Sequence, residues 1–154
     1  CYVPQTNNVF PTLTVQENLE MGAYIRKDDF RPRLLEIYEM FPPLAEKKKQ
    51  AAGELSGGQR QMVAMGKALM LEPTILMLDE PTAGLSPIYR NEIFQIIRQI
   101  NASGVPILMV EQNAKQSLAI ANRGYVFVDG RNRTTGKGVD LLNDPEIAKM
   151  FLGG

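Results

Sequence analysis

The sequence has no histidine, a single cysteine and no excess of charge of either sign. Each shortage excludes something. Without histidine the chain lacks both the usual general base near neutral pH and the commonest metal ligand. Proton transfer or cation binding would therefore fall to carboxylates, amides and hydroxyls. The lone Cys1 rules out an internal disulfide and fits a reducing compartment. Lys+Arg and Asp+Glu both number 17, which argues against a nucleic-acid or acidic-membrane surface. The one basic run, Lys47-Lys48-Lys49, reads as a solvated loop or helix end. No apolar run approaches the roughly 18 residues needed to cross a bilayer. There are no repeats and no low-complexity segments. The 154 residues have the apolar and charged fractions of a soluble globular protein of one ordinary domain.

What is there has two textures. The first part reads as helical. Thr14, with Glu17 three residues on, forms a capping-box pattern and predicts a helix from about 15 to 26, with Leu19, Ala23 and Ile25 as its apolar sites. Leu34, Leu35, Ile37, Tyr38 and Phe41 predict a second helix over 31–42, stopped by Pro42-Pro43. Met21, Tyr24 and Met40 are expected in the core. An amphipathic helix follows over 59–71, with Met62, Val63, Gly66, Leu69 and Met70 inward. The texture then alternates. "TILMLDEP" (74–81) is an apolar strand, 91–104 a helix carrying Phe94, Ile97 and Ile100, and "VPILMVEQN" (105–113) a second strand. A short helix, a hairpin turning near Asp129-Gly130 and a terminal helix over 144–154 complete the chain. Strands alternating with helices predict an α/β class with a parallel sheet covered by helices.

Two stretches carry chemistry. In "ILMLDE" a strand expected to be buried on both faces delivers Asp79 and Glu80 to its carboxyl end, where open α/β sheets bind ligands. A carboxylate there can hold Mg²⁺ beside nucleotide phosphates, and its neighbour can orient or deprotonate a water. In "ELSGGQRQM" Ser56 is a good N-cap, and the first helical turn offers unpaired N–H groups and the positive end of the helix dipole. Gly57 and Gly58 let an anion reach the backbone, so the stretch suits phosphate. Taken singly, a solvated strand exit and an ordinary capped helix explain these stretches about as well.

Together, "LSGGQ" and the downstream "LMLDEPTAGLSP" resemble the ATPase subunits of ABC transporters, along the whole chain. The resemblance implies a partial P-loop NTPase (ABC ATPase) fold: a helical signature subdomain over 13–72, and a parallel-sheet catalytic remnant over 1–12 and 73–154. It implies that Gln5 of "YVPQ" is the Q-loop glutamine at the metal-sensing position, that Leu55, Ser56, Gly57, Gly58 and Gln59 form the signature, and that Asp79 meets Mg²⁺ through water, with Gln5 as the other metal-holding residue, while Glu80 is the catalytic carboxylate. Ala83, Gly84, Leu85 and Ser86 stand where the D-loop belongs, with Ser86 in place of the family's usual aspartate. Gln112 stands where the family's switch histidine belongs; it can donate to a γ-phosphate but carries no proton at neutral pH. The implied cofactors are ATP and Mg²⁺, and the implied partners are a second ABC ATPase subunit and membrane permease subunits reached through the helical subdomain, with no nucleic acid. Val9, Phe10 and Leu13 are the candidate permease contacts, which places the protein peripherally at the cytoplasmic face of the membrane. "VEQNA", "RGYV" and "FLGG" are similar to the branched-chain amino-acid subfamily.

The pattern G-x-x-x-x-G-K-[ST] is absent; "TTGKG" (134–138) and "MGKAL" (65–69) fail it. The reading is of a chain starting at the Q-loop, with the phosphate-binding lysine and the adenine-stacking aromatic upstream, and with an open edge on the strand that carries Asp79. Such a chain is expected to self-associate through that edge and to bind ATP very weakly by itself. The rival readings are a soluble, non-transport ABC ATPase acting on nucleic acid and a non-catalytic module that caps a full-length partner.

Overall fold

The computed structural model describes residues 1–6 and 8–151, in two compact units divided after Val110. The last three residues of the expected terminal helix lie outside that range.

The first unit holds a parallel sheet of three strands in the order β1 (Tyr2–Val3), β2 (Leu76–Asp79), β3 (Ile107–Val110). Tyr2 pairs with Met77, Val3 with Leu78, and Asp79 with Val110. Cys1 ties β1 down further, its amino group donating to the Ile75 carbonyl and its own carbonyl accepting from Met77 N–H. The strand carrying Asp79 is thus central, and the edge strands among the described residues are β1 and β3. This corrects the expected open edge beside Asp79. It also corrects the expected burial: Val3, Leu76 and Leu78 are buried on one face, whereas Tyr2, Met77, Leu108 and Val110 are exposed on the other. The side-chain period of two divides the strand between a covered and an uncovered face.

Helix α1 (Val15–Gly22) opens with the predicted capping box. Glu17 N–H donates to Thr14 Oγ1, and the Glu17 carboxylate accepts from Thr14 N–H, which holds that carboxyl below its usual range. The helix ends four residues early. A Cβ on Gly22 would stand 2.1 Å from the Lys67 carbonyl oxygen. Beyond Gly22 the chain turns so that Arg26 donates to the Met70 carbonyl and pairs with Glu72 and Asp28. Tyr24, Ile25 and Met21 are consequently exposed, not core residues, and Met40 is half-buried. Helix α2 (Arg31–Met40) buries Leu34 and Ile37 but exposes Leu35. Pro42-Pro43 do not simply stop it; they open α3 (Pro42–Glu46), where the missing N–H costs nothing.

A 3₁₀ turn (Ala52–Glu54) leads into α4 (Gly57–Leu69), the hub of this unit. The five residues expected inward are buried, and so are Gln61, Ala64 and Met65, so the helix is enclosed on most of its circumference. It packs against α1, α3, α5 and β1. Helix α5 (Pro87–Ala102) starts earlier than its apolar pattern suggests, because Ser86 and Pro87 supply a cap position and first residue.

The second unit contains α6 (Ala114–Ile120), the hairpin β4 (Arg123–Val128) and β5 (Arg131–Lys137), α7 (Gly138–Leu142) and α8 (Pro145–Phe151) around Leu118, Val126, Leu141 and Ile147. Asp129 (φ 49°) and Gly130 (φ 72°) make the tight turn with positive φ that a two-residue hairpin requires. As the predicted hairpin requires, β4 pairs antiparallel with β5 in a two-stranded sheet, so among the described residues the parallel sheet is made by β1, β2 and β3. The partner of β4 is two residues away, and a short loop closes at little entropic cost.

Candidate functional site

Asp79 ends β2, and β1 runs beside it into Pro4 and Gln5. This neighbourhood brings two acids and two donors together. Tyr2 Oη donates to Asp79 Oδ2 at 2.8 Å, and Gln5 Nε2 donates to Glu80 Oε2 at 3.1 Å. The bond to Asp79, then burial, then the negative charge of Asp79, all push the Tyr2 hydroxyl above its ordinary value. Glu80 has φ 44°, a left-handed conformation unusual for glutamate, yet its N–H still donates to the Val110 carbonyl at 2.9 Å. The ladder therefore extends one residue past the strand while the side chain turns toward Gln5. Strain of this kind persists where surrounding contacts over-determine it. Pro81 and Thr82 behind it are buried.

Ser56 caps α4 as expected. Its Oγ accepts from Gln59 N–H at 3.3 Å, and the Gln59 side chain accepts from Ser56 N–H at 3.2 Å. The Arg60 guanidinium donates to the Leu55 carbonyl, and Leu55 is buried, so the helix start is fixed from both sides. The two glycines differ. A Cβ on Gly58 would lie 2.7 Å from the Tyr89 ring, and one on Gly57 would lie 3.1 Å from Leu85 Cδ2. Within the chain, then, what comes close to Gly58 is an aromatic side chain of α5, a contact the sequence pattern does not disclose.

Ala83, Gly84 and Ser86 are exposed on the turn between β2 and α5, and Leu85 is half-buried. Gly84 takes φ 69°, and Ala83 and Leu85 N–H groups donate back to Glu80 and Thr82 carbonyls. Ser86 occupies the N-cap of α5 without a side-chain capping bond. Gln112 belongs to the second unit, where it is exposed just ahead of Asn113, the cap of α6.

The segment after Gln5 is held by residues that sequence reading passed over. Buried Asn18 donates to the Phe10, Leu13 and Thr14 carbonyls and accepts from Phe10 N–H at 2.7 Å. Asn8 donates to Gln61 Oε1, while Lys67 donates to the Asn8 carbonyl and lies 4.9 Å over the Phe10 ring. Burial pulls the Lys67 amine below its ordinary value. Gln61 and Lys67 both belong to α4, so the helix capped by Ser56 also grips the segment that follows Gln5. A polar residue on the inward side of α1 was the one available signal for Asn18. Phe10 remains 45% exposed, and Val9 and Leu13 are half-buried.

Among the described residues no group of three or more acidic, cysteine or histidine side chains could hold a metal by itself. The oxygens present are two carboxylates and, with its amide nitrogen turned to Glu80, the oxygen of Gln5. That hard-oxygen set suits Mg²⁺ shared with phosphate oxygens, not a free-standing protein cage.

A family model described as "ABC transporter" matches residues 1–83, just over half of the chain. The chain belongs to the ABC transporter family, and its fold is part of an ABC ATPase cassette. It is 46% identical over 153 residues to the high-affinity branched-chain amino acid transport ATP-binding protein BraG of Pseudomonas aeruginosa, covering 99% of this chain and 66% of that protein. It is 42% identical to the probable branched-chain amino acid transport ATP-binding protein LivF of Archaeoglobus fulgidus, covering 99% of this chain and 65% of that one. The crystal structure of MJ1267, an ATP-binding cassette of an ABC transporter in its ADP conformation, superposes with a TM-score of 0.82 at 28% identity, over 99% of this chain and 68% of that one. The chain thus spans about two thirds of the length of the relatives it matches.

Proposed function

We propose that this chain is part of the ATP-hydrolysing subunit of an importer for branched-chain amino acids. The observation that carries the reading is the bond from Gln5 to Glu80 at the end of the strand that presents Asp79, in the same unit as the Ser56-capped helix. The identity with BraG and LivF supports the solute class. Residues 13–72 act as the helical signature subdomain, and 1–12 with 73–154 belong to the nucleotide-binding core.

Mg²⁺ bound with ATP would supply neutralisation of phosphate charge. Asp79 and the amide oxygen of Gln5 would hold it. Glu80, oriented by the Gln5 amide and by its constrained backbone, positions the attacking water and takes up its proton. With no histidine in the chain, Gln112 contributes a hydrogen bond to the γ-phosphate and no proton relay. The Ser56 hydroxyl and the first-turn N–H groups of α4 face the nucleotide of a second subunit, and the Ala83–Ser86 turn lies against that subunit. No helix among the described residues is long and apolar enough to cross a membrane. Permease subunits supply the membrane path, docking near Val9, Phe10 and Leu13 at the cytoplasmic face.

The test uses the complete gene product. Glu80→Gln should lower steady-state ATP turnover by about 10²-fold or more while nucleotide binding is retained. A strain lacking the gene should lose uptake of labelled leucine. Full turnover in the Glu80→Gln variant would overturn the assigned chemistry, and unchanged leucine uptake would overturn the solute class.

A further inference from the structure

Tyr2 has no part in the chemistry described above, yet its hydroxyl donates a hydrogen bond to the Asp79 carboxylate. We propose that Tyr2 is a positioning residue that presets the Asp79 carboxylate for the cation accompanying the nucleotide. This rests on the assignment of Asp79 just made.

The argument starts from register. Tyr2 pairs with Met77 across parallel strands, and Asp79 lies two residues further along β2 on the same face. A side chain as long as tyrosine reaches such a diagonal neighbour, and a shorter one does not. The 2.8 Å bond from Tyr2 Oη occupies Asp79 Oδ2 and leaves Oδ1 for a cation or its water. A half-buried carboxylate at a strand end otherwise rotates about χ2, whose energy profile is broad. The register of β1 is held further by Cys1, whose nitrogen donates to the Ile75 carbonyl and whose carbonyl accepts from Met77 N–H. Gln5, three residues after Tyr2, fixes the second acid in the same way. The strand β1 and the residues just after it therefore contact both carboxylates. Partners of this kind, behind a ligating group, change metal affinity by about 10–100-fold when removed.

The experiment uses the complete protein with a non-hydrolysable ATP analogue and Mn²⁺ as a paramagnetic probe, read by electron paramagnetic resonance. Four forms are titrated: wild type, Asp79→Asn, Tyr2→Phe and Tyr2→Leu. Tyr2→Phe keeps the ring and loses the hydroxyl. It should weaken Mn²⁺ binding in the nucleotide complex about tenfold or more, leave nucleotide affinity in EDTA unchanged, and melt at the wild-type temperature. Tyr2→Leu should lose no more Mn²⁺ affinity than Tyr2→Phe. Mn²⁺ affinity of Tyr2→Phe within about twofold of wild type, or tighter, overturns the proposal, as does a loss confined to Tyr2→Leu, which would assign the effect to the ring. If Asp79→Asn binds Mn²⁺ as wild type does, the assignment of Asp79 fails first, and this inference fails with it.

Discussion

The strongest structural demand on a single residue falls on Asn18. Its buried amide bonds three carbonyls and one N–H in the turn between Gln5 and α1. Alanine there leaves the Phe10 N–H without its partner, whereas the Phe10, Leu13 and Thr14 carbonyls keep the Leu13, Ala52 and Asn18 backbone N–H groups, so the cost is one orphaned donor plus the lost amide bonds. Asn18→Ala in the complete protein is expected to lose about 2 kcal/mol of stability by urea unfolding. A loss under about 1 kcal/mol would show that the turn finds other partners. Gly58 shows how a motif residue acquires a second reason. Its two-glycine pattern points to an approaching anion, but the Tyr89 ring already stands where a Cβ would go. Both demands act on the same atom position, and the sequence expressed only one. The acids were legible because a charged pair directly after an apolar run and before proline has few structural explanations. Tyr2 was not, because an aromatic residue in a strand reads as packing until its neighbour across the sheet is known.

Among elements, α4 organises the first unit. It carries the Ser56 cap at one end and Lys67 near the other, and Gln61 and Lys67 reach the segment that follows Gln5. Its apolar stripe was legible in the sequence. Its enclosure by four neighbours was not, since small or flexible residues such as Ala64 and Met65 fit either a surface or a core. The crossing with α1 is set by Gly22, where any Cβ meets the Lys67 backbone at 2.1 Å. Alanine gains up to about 1 kcal/mol of helix propensity over glycine, but a clash with rigid backbone forces the helices apart. Gly22→Ala is therefore expected to destabilise by about 3 kcal/mol, measured as a lowered melting temperature of the complete protein. A rise would mean that the helices part freely. Boundaries were the weak point of the sequence reading: α1 stops at this crossing, and Pro42-Pro43 begin a helix as well as ending one.

At the scale of the whole molecule, the sheet places Asp79 on a central strand with Tyr2 and Gln5 arriving on one side and Val110 on the other. The 154 residues contain no G-x-x-x-x-G-K-[ST] loop. The phosphate-directed groups left to this chain are a helix N-terminus, two acids and amides. Calorimetry on the 154-residue chain alone is expected to give ATP binding weaker than about 100 μM, since one helix end and a shared cation supply only part of the contacts to a triphosphate. Submicromolar binding would refute that.

The sequence by itself determined the family, the helical and alternating halves, the capping boxes at Thr14 and Ser56, the hairpin turn at Asp129-Gly130, and the acid pair at a strand's exit. These are local signals, carried by residues within a few positions of each other. The tertiary structure alone decided that Asp79 sits mid-sheet, that one face of that sheet is exposed among the described residues, and that Tyr2, Asn18 and Lys67 hold the groups around the site. Those outcomes depend on contacts between residues such as Tyr2 and Asp79 that are far apart along the chain, and a one-dimensional pattern does not encode which distant side chains meet.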